Sequence, residues 1–152
     1  IYASTYIPQD PNILEIQLVE NNLLCKIIPH INTVYGCKYK IQSHKSNFIN
    51  KIEDTFFEIS QSSTTENSLI EIRTSELPQE FFDDIENYTL SLEVYAFDMD
   101  YREYYYSRLN NKPVENVFSE GGGSVFWNVQ GNDAIGMFIG YTVKEIDNIN
   151  LN

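Results

Sequence analysis

Between Tyr88 and Ala96 every second residue is apolar or aromatic: Tyr88, Leu90, Leu92, Val94 and Ala96. Side chains alternate between faces along a strand, so this run predicts a strand with one buried face, placed centrally in a sheet. At Asp98 the period changes. Tyr101, Tyr104, Tyr105 and Leu109 recur at the spacing of one helix face. Asp100 followed three residues on by Glu103 reads as a capping-box start, with Asp in the Ser/Thr role, and Asn110-Asn111-Lys112-Pro113 ends the helix. The caps and the change of period together encode this handover from strand to helix. Tyr104, Tyr105 and Tyr106 are adjacent, and at roughly 100° per residue three neighbours cannot all face the core. Tyr106 lies off the Tyr101/Tyr105 face and is expected to meet solvent, a sugar or a protein partner.

The rest of the chain punctuates into short strands. Ile1 to Asn12, with Pro8 and Pro11, reads as a linker-like lead-in. Ile13–Val19 (Leu14, Ile16 and Leu18 on one parity) and Leu23–Ile28, separated by Glu20-Asn21-Asn22, form a hairpin signal. His30–Gly36 reads as a loop. Cys37, Tyr39 and Ile41 then alternate with Lys38, Lys40 and Gln42, a half-buried strand with a basic outer face. Thr55–Ser60 is expected as a strand with Phe57 and Ile59 on one side, and Leu69–Arg73 as another with Ile70 and Ile72 inward. Thr74–Asn87 suggests one helical turn after Pro78, packing Phe81, Phe82 and Ile85. Val125–Val129, a turn at residues 130–133, and a last strand through Ile135, Met137, Ile139, Tyr141 and Val143 close the chain; Gly136 and Gly140 suggest a bend or a backbone lying close. The tail after Ile146 is polar and expected to fray. About seven short strands without a βαβ rhythm predict a single all-β domain over residues 1–152, an immunoglobulin/fibronectin-III-like antiparallel β-sandwich with a short aromatic helix inserted near the C-terminus.

A net charge of −12 repels nucleic acid and anionic membrane surfaces, so no nucleic acid partner is expected. The sequence has no apolar run long enough for a transmembrane helix. It begins at Ile1, not Met, which leaves room for an export signal or lipid anchor upstream. Cys25 and Cys37 make no CxxC and read as buried free thiols. His30 and His44 sit in polar loops without zinc-site spacing. Asp98, Asp100 and Glu103 offer oxygens, but helix capping accounts for Asp100 and Glu103 and the EF-hand glycine is missing. Gly121-Gly122-Gly123 lacks the GK[ST] of a phosphate loop and reads as a flexible loop. Asn87-Tyr88-Thr89 fits a glycosylation sequon at a strand start. No catalytic, metal or cofactor residue is assigned, and the chain reads as non-enzymatic.

The C-terminal stretch resembles the end of a Bacteroidetes family of envelope lipoproteins, the domain-of-unknown-function family numbered 4249. The resemblance is carried by ENYTLSLEVYAFD followed by MDYREYYYSRL, a variable loop, and VFWNVQGNDAIGMFIGYTV, in which Asn128, Gly131, Gly136, Phe138 and Tyr141 stand at the motif positions. LLCKIIPHINTVYGCKYKIQ is compatible with that family's fibronectin-like strand pair, whereas its N-terminal module and lipobox cysteine have no counterpart here. The resemblance implies a cell-envelope lipoprotein at the outer-membrane surface of a Gram-negative bacterium, often encoded beside TonB-dependent receptors. It implies an accessory or binding subunit with an outer-membrane protein partner. The contacts expected for such a subunit run through the helix, the 114–124 loop and the following hairpin: Tyr101, Tyr104, Tyr105, Tyr106, Phe118, Phe126 and Trp127. A second reading is a carbohydrate-binding module that stacks a glycan on Tyr106 and an exposed Phe or Trp. A carboxylate-dependent hydrolase ranks last, because a pair can be picked anywhere among 22 acidic residues.

Overall fold

The computed structural model describes residues 3–45, 51–52, 56–60, 68–110, 128–131 and 134–151. In chain order the strands are β1 (Asn12–Val19), β2 (Asn22–Ile28), β3 (Thr33–Ser43), β4 (Lys51–Ile52), β5 (Ile70–Glu76), β6 (Tyr88–Asp98), β7 (Val129–Gly131), β8 (Ala134–Gly136) and β9 (Tyr141–Ile146). Helix α1 (Gln79–Asp83) and a 3-10 turn (Ile85–Asn87) precede β6, and helix α2 (Asp100–Asn110) follows it. A three-stranded sheet, β1-β2-β5, faces a four-stranded sheet, β4-β3-β6-β9, and β7-β8 forms a separate hairpin. Every pairing is antiparallel. This is the expected immunoglobulin/fibronectin-III-like sandwich, with α2 and the β7-β8 hairpin inserted between β6 and β9.

Period 2 explains the core. Leu23, Cys25 and Ile27 of β2 and Ile72 of β5 meet Tyr35, Cys37, Tyr39 and Ile41 of β3 and Leu90, Leu92, Val94 and Ala96 of β6. β6 is central, as its alternation predicts, paired with β3 on one side and β9 on the other. Both cysteines are buried thiols, and burial pushes the Cys25 thiol up to about 12, so it is inert as a nucleophile at neutral pH.

Several expectations yield to local geometry. In β1 the register shifts between Ile13 and Glu15, so Leu14 becomes the extra residue of a bulge. The parity flips there: Ile13 joins Ile16 and Leu18 against the core, and Leu14 is exposed. β3 starts at Thr33, within the expected loop, because Val34 and Gly36 extend the ladder opposite Phe97 and Tyr95. Residues 56–60 make no regular strand; a single bridge joins Ile59 to Gly36, and without alternation Phe56 is buried while Phe57 is 55% exposed. α1 stops at Asp83 and the chain tightens into the 3-10 turn, which leaves Phe81 buried but turns Ile85 outward. The expected last strand is two, β8 and β9, broken at residues 137–140.

The margins of the sandwich are covered or blunted. Ser60 N donates to Tyr35 O at 2.7 Å, Tyr35 N donates to Ser60 Oγ at 2.8 Å, and Arg73 N donates to Glu58 Oε1 at 2.9 Å, so residues 58–60 close the side between β3 and β5. On β9, Lys144 stands opposite Val94 at an inward register position yet is exposed, a charge that discourages edge pairing. The lead-in and the segment after β9 both pack back on the sandwich. Pro8 and Pro11 are buried, and the tail folds back, with Ile149 N donating to Leu90 O at 2.9 Å and Ser91 Oγ to Asp147 Oδ1 at 3.0 Å. Asn148 takes the left-handed φ of 54° that this return requires.

Where β2 and β5 slip register between Asn22 and Leu24, Leu23 has no register partner on β5. The side chain of the fully buried Thr74 serves its N–H: Oγ1 accepts from Leu23 N at 3.1 Å and donates to Ser75 O at 2.8 Å. Thr74→Val keeps the shape and orphans a buried N–H, so unfolding free energy should fall by about 1–3 kcal/mol, read from urea denaturation. A neutral result would mean the bulge carries no such demand.

Candidate functional site: an aromatic face on the four-stranded sheet

The outer faces of the two sheets differ in chemistry. On the three-stranded sheet, Lys26 Nζ lies 3.0 Å from Glu15 and 4.0 Å from Glu71, an exposed charged arrangement. On the four-stranded sheet, the outward parity of β6 carries Tyr95 and Phe97, and that of β9 carries Tyr141 and Val143, with a Lys40–Glu145 ion pair at 3.7 Å beyond them on the same face. Phe56 lies over this sheet at Gly36: a Cβ there would come within 2.7 Å of the Phe56 ring, so only glycine leaves room for it. Val34, Phe56, Ile59, Phe97 and Tyr105 form a second buried cluster, with Tyr95, Tyr101, Tyr106 and Ile139 packed against it.

The rings are arranged as a row. Tyr101 stacks on Phe97 with centroids 3.9 Å apart, and Phe97 stacks on Tyr95 at 5.7 Å. Phe56 meets both Tyr95 and Phe97 edge-on, at 5.2 and 5.6 Å. Tyr141 tilts against Phe97 at 5.9 Å and Tyr95 at 6.2 Å. Cations cap the margin: Lys38 Nζ lies 4.4 Å from the Phe56 centroid, and the Arg102 and Arg108 guanidinium carbons lie 5.4 Å and 5.5 Å from Tyr106 and Tyr104. Burial pushes the Tyr101 phenol up to about 12, helped by Tyr105 and Tyr104, and burial followed by the Glu93 carboxylate raises Tyr95. Both phenols therefore stay protonated, and Tyr95 donates to Glu93 Oε2 at 2.8 Å.

The helix contributes unequally. Tyr105 is buried and its hydroxyl donates to Phe56 O at 2.9 Å, so it anchors α2 and offers no contact surface. Tyr101, Tyr104 and Tyr106 are half-buried; Tyr106 packs edge-on against Tyr105 at 5.5 Å and is less open than its place off the Tyr101/Tyr105 face suggested. Phe118, Phe126 and Trp127 lie outside the described residues. Among the described residues, the exposed apolar part of the face is Tyr141 at 56% and Val143 at 46% exposure; Phe138, just before β9, is 47% exposed. Tyr95 and Phe97 are not among the contacts expected from the sequence, although their signal is there, two aromatics on the outward parity immediately before the helix; Phe56 had no local signal.

The helix start differs from the expected box. α2 begins at Asp100, and Asp98 provides the cap, its Oδ1 accepting from Asp100 N at 3.2 Å. Asp100 Oδ2 accepts from Asn128 Nδ2 at 2.9 Å. Asn128 then pairs with the Phe138 main chain, accepting from its N at 2.8 Å and donating to its O at 2.7 Å. Burial raises Asp98, but hydrogen bonds from Tyr6 N, Thr5 Oγ1, Asp100 N and Met99 N outweigh it, leaving the carboxyl below the ordinary aspartate value. Its stabilisation is thus complete above the unfolded-state pKa and is lost as pH falls through the lower folded value. Asp98→Asn should flatten that part of the acid limb of stability, measured by thermal unfolding between neutral pH and pH of about 2.5; an unchanged limb would assign the acid sensitivity to other carboxylates.

A cleft of about 350 Å³ lies at the opposite end of β6, lined by His44, Phe81, Tyr88, Leu90, Ile149 and Leu151 among others. His44 Nε2 is hydrogen-bonded to Thr89 Oγ1. Among the described residues no group of three or more His, Cys, Asp or Glu side chains could hold a metal ion, and no helix is long and apolar enough to cross a membrane. No family model, curated protein or solved structure matches this chain.

Proposed function

We propose that this sandwich is a non-enzymatic binding module of the cell envelope, an accessory subunit that docks on an outer-membrane partner of the TonB-dependent receptor type through its aromatic face. The observation that carries docking is the row of rings on the outer face of the four-stranded sheet, which runs from buried Tyr105 to exposed Tyr141 beside a Lys40–Glu145 ion pair, where the described outer face of the other sheet bears charged pairs. An apolar face rimmed by charges is the composition of a protein interface, and tyrosine supplies contact area at low entropic cost. The envelope setting and the partner's class rest on the resemblance of residues 86–109 and 125–143 to the lipoprotein family. The test is to tag the full-length gene product in its native host, extract membranes in mild detergent and identify what co-purifies. A stoichiometric outer-membrane β-barrel supports the reading; recovery of the chain alone from the soluble fraction overturns it.

The glycan reading keeps one observation in its favour. Tyr141 is more than half exposed, and its ring is a platform on which a sugar ring could stack. Tyrosine fluorescence or thermal stabilisation against a glycan panel separates the two readings, since a protein-docking face gives flat responses.

A further inference from the structure

The lead-in residues and the aromatic face share their fastenings. Thr5 Oγ1 donates to Asp98 Oδ2 at 2.8 Å, and Tyr6 N donates to the same oxygen at 2.9 Å. Gly140 N donates to Thr5 Oγ1 at 2.6 Å, Asp98 N donates to Gly140 O at 3.0 Å, and farther along Thr142 Oγ1 donates to Gln9 O at 3.2 Å. The Tyr6 carbonyl presses on Gly140 so closely that a Cβ there would stand 2.2 Å from its oxygen. Tyr6 and Ile7 themselves point into solvent, 49% and 67% exposed, so residues 3–7 are held by polar bonds more than by apolar burial. Segments attached in that way open at low free energy.

From Asp98 and Gly140 the connections continue into the face. Asp98 caps α2, Asp100 of α2 holds Asn128, Asn128 holds the Phe138 main chain, and Gly140 is followed directly by Tyr141. We infer that residues 3–9 form a strap whose attachment at Asp98 and Gly140 is coupled to the aromatic face, so that lifting the strap loosens the first turn of α2, Phe138 and Tyr141 together. Whatever grips or pulls the strap would then regulate docking, and by linkage a docked partner would hold the strap down. The bearing on docking rests on the function proposed above; the coupling itself does not.

Amide hydrogen exchange on the isolated protein tests the coupling without any partner. Thr5→Val removes the hydroxyl that joins Asp98 to Gly140 and leaves the Asp98–Asp100 cap in place. Exchange at Tyr6, Asp100, Phe138 and Gly140 should accelerate together by about tenfold or more, with Cys25 and Ile72 in the opposite sheet unchanged. Gly140→Ala, which displaces the Tyr6 carbonyl from the other side, should give the same pattern; if it does not fold, Thr5→Val decides alone. Acceleration confined to residues 3–9 overturns the coupling. A coupled response in a protein that captures no partner leaves the strap standing and removes only its role in docking.

Discussion

Phe97→Ala is expected to lower the unfolding free energy by about 3–5 kcal/mol, the range for deleting a buried phenylalanine. Phe97 is 7% exposed and touches Phe56, Tyr95, Tyr101 and Tyr141. The loss therefore combines the transfer of one large ring, a cavity lined by rings that cannot all collapse, and several aromatic contacts worth about 0.5–1.5 kcal/mol each beyond their area. It also removes the surface on which Tyr101 stacks, and with it one of the supports that seat α2 on the sheet. Urea unfolding followed by far-ultraviolet circular dichroism and by tyrosine fluorescence measures it. A loss below about 1 kcal/mol would mean that the second cluster is an appendage and that the sandwich between the sheets stands without it.

How much of this could be read from the chain depended on how local the determinant was. The β6 alternation and the change of period at Asp98 are local, and both elements formed where the sequence places them. The β1-β2 hairpin and the inward set on β5 followed from period 2 in the same way. Parity at Leu14 was not legible, because a bulge is set by what the partner strand offers and not by the residue itself. The cap was misplaced by one pair of residues for a similar reason: Asp98 and Asp100 are chemically alike, and only the lead-in strap, which arrives from the far end of the sequence, makes Asp98 the shared acceptor. Gly140 did signal a close backbone, and the Tyr6 carbonyl is that backbone. The aromatic face was half legible. Its helix was visible as a run of tyrosines, but among the described residues the exposed ring of the sheet is Tyr141, which opens β9, and the burial of Tyr105 depends on Phe56, which is remote in sequence.

On the proposed docking, Tyr141→Ala should cut affinity for the partner by about thirtyfold or more, the 2 kcal/mol mark of an interface hot spot. Its fold stability should move by no more than about 1 kcal/mol, as for other exposed positions. The separation follows from position. Tyr141 opens β9, paired with Phe97 across the ladder, and its main chain keeps that pairing whatever side chain it carries. The residue is 56% exposed while its ring rests on Tyr95 and Phe97, which makes it a rigid aromatic anchor already held in place before a partner arrives. Lys26→Ala, on the charged face of the other sheet, serves as the comparison and should leave affinity within about threefold, as surface ion pairs are worth little. Paired measurements of binding by surface plasmon resonance and of stability by thermal unfolding distinguish the outcomes. Weakened binding by Tyr141→Ala with an unshifted unfolding midpoint places the interface on the aromatic face. Equal binding by both variants moves the partner off this face altogether, and a loss of stability matching the loss of affinity would make Tyr141 a support of the sheet and not a contact.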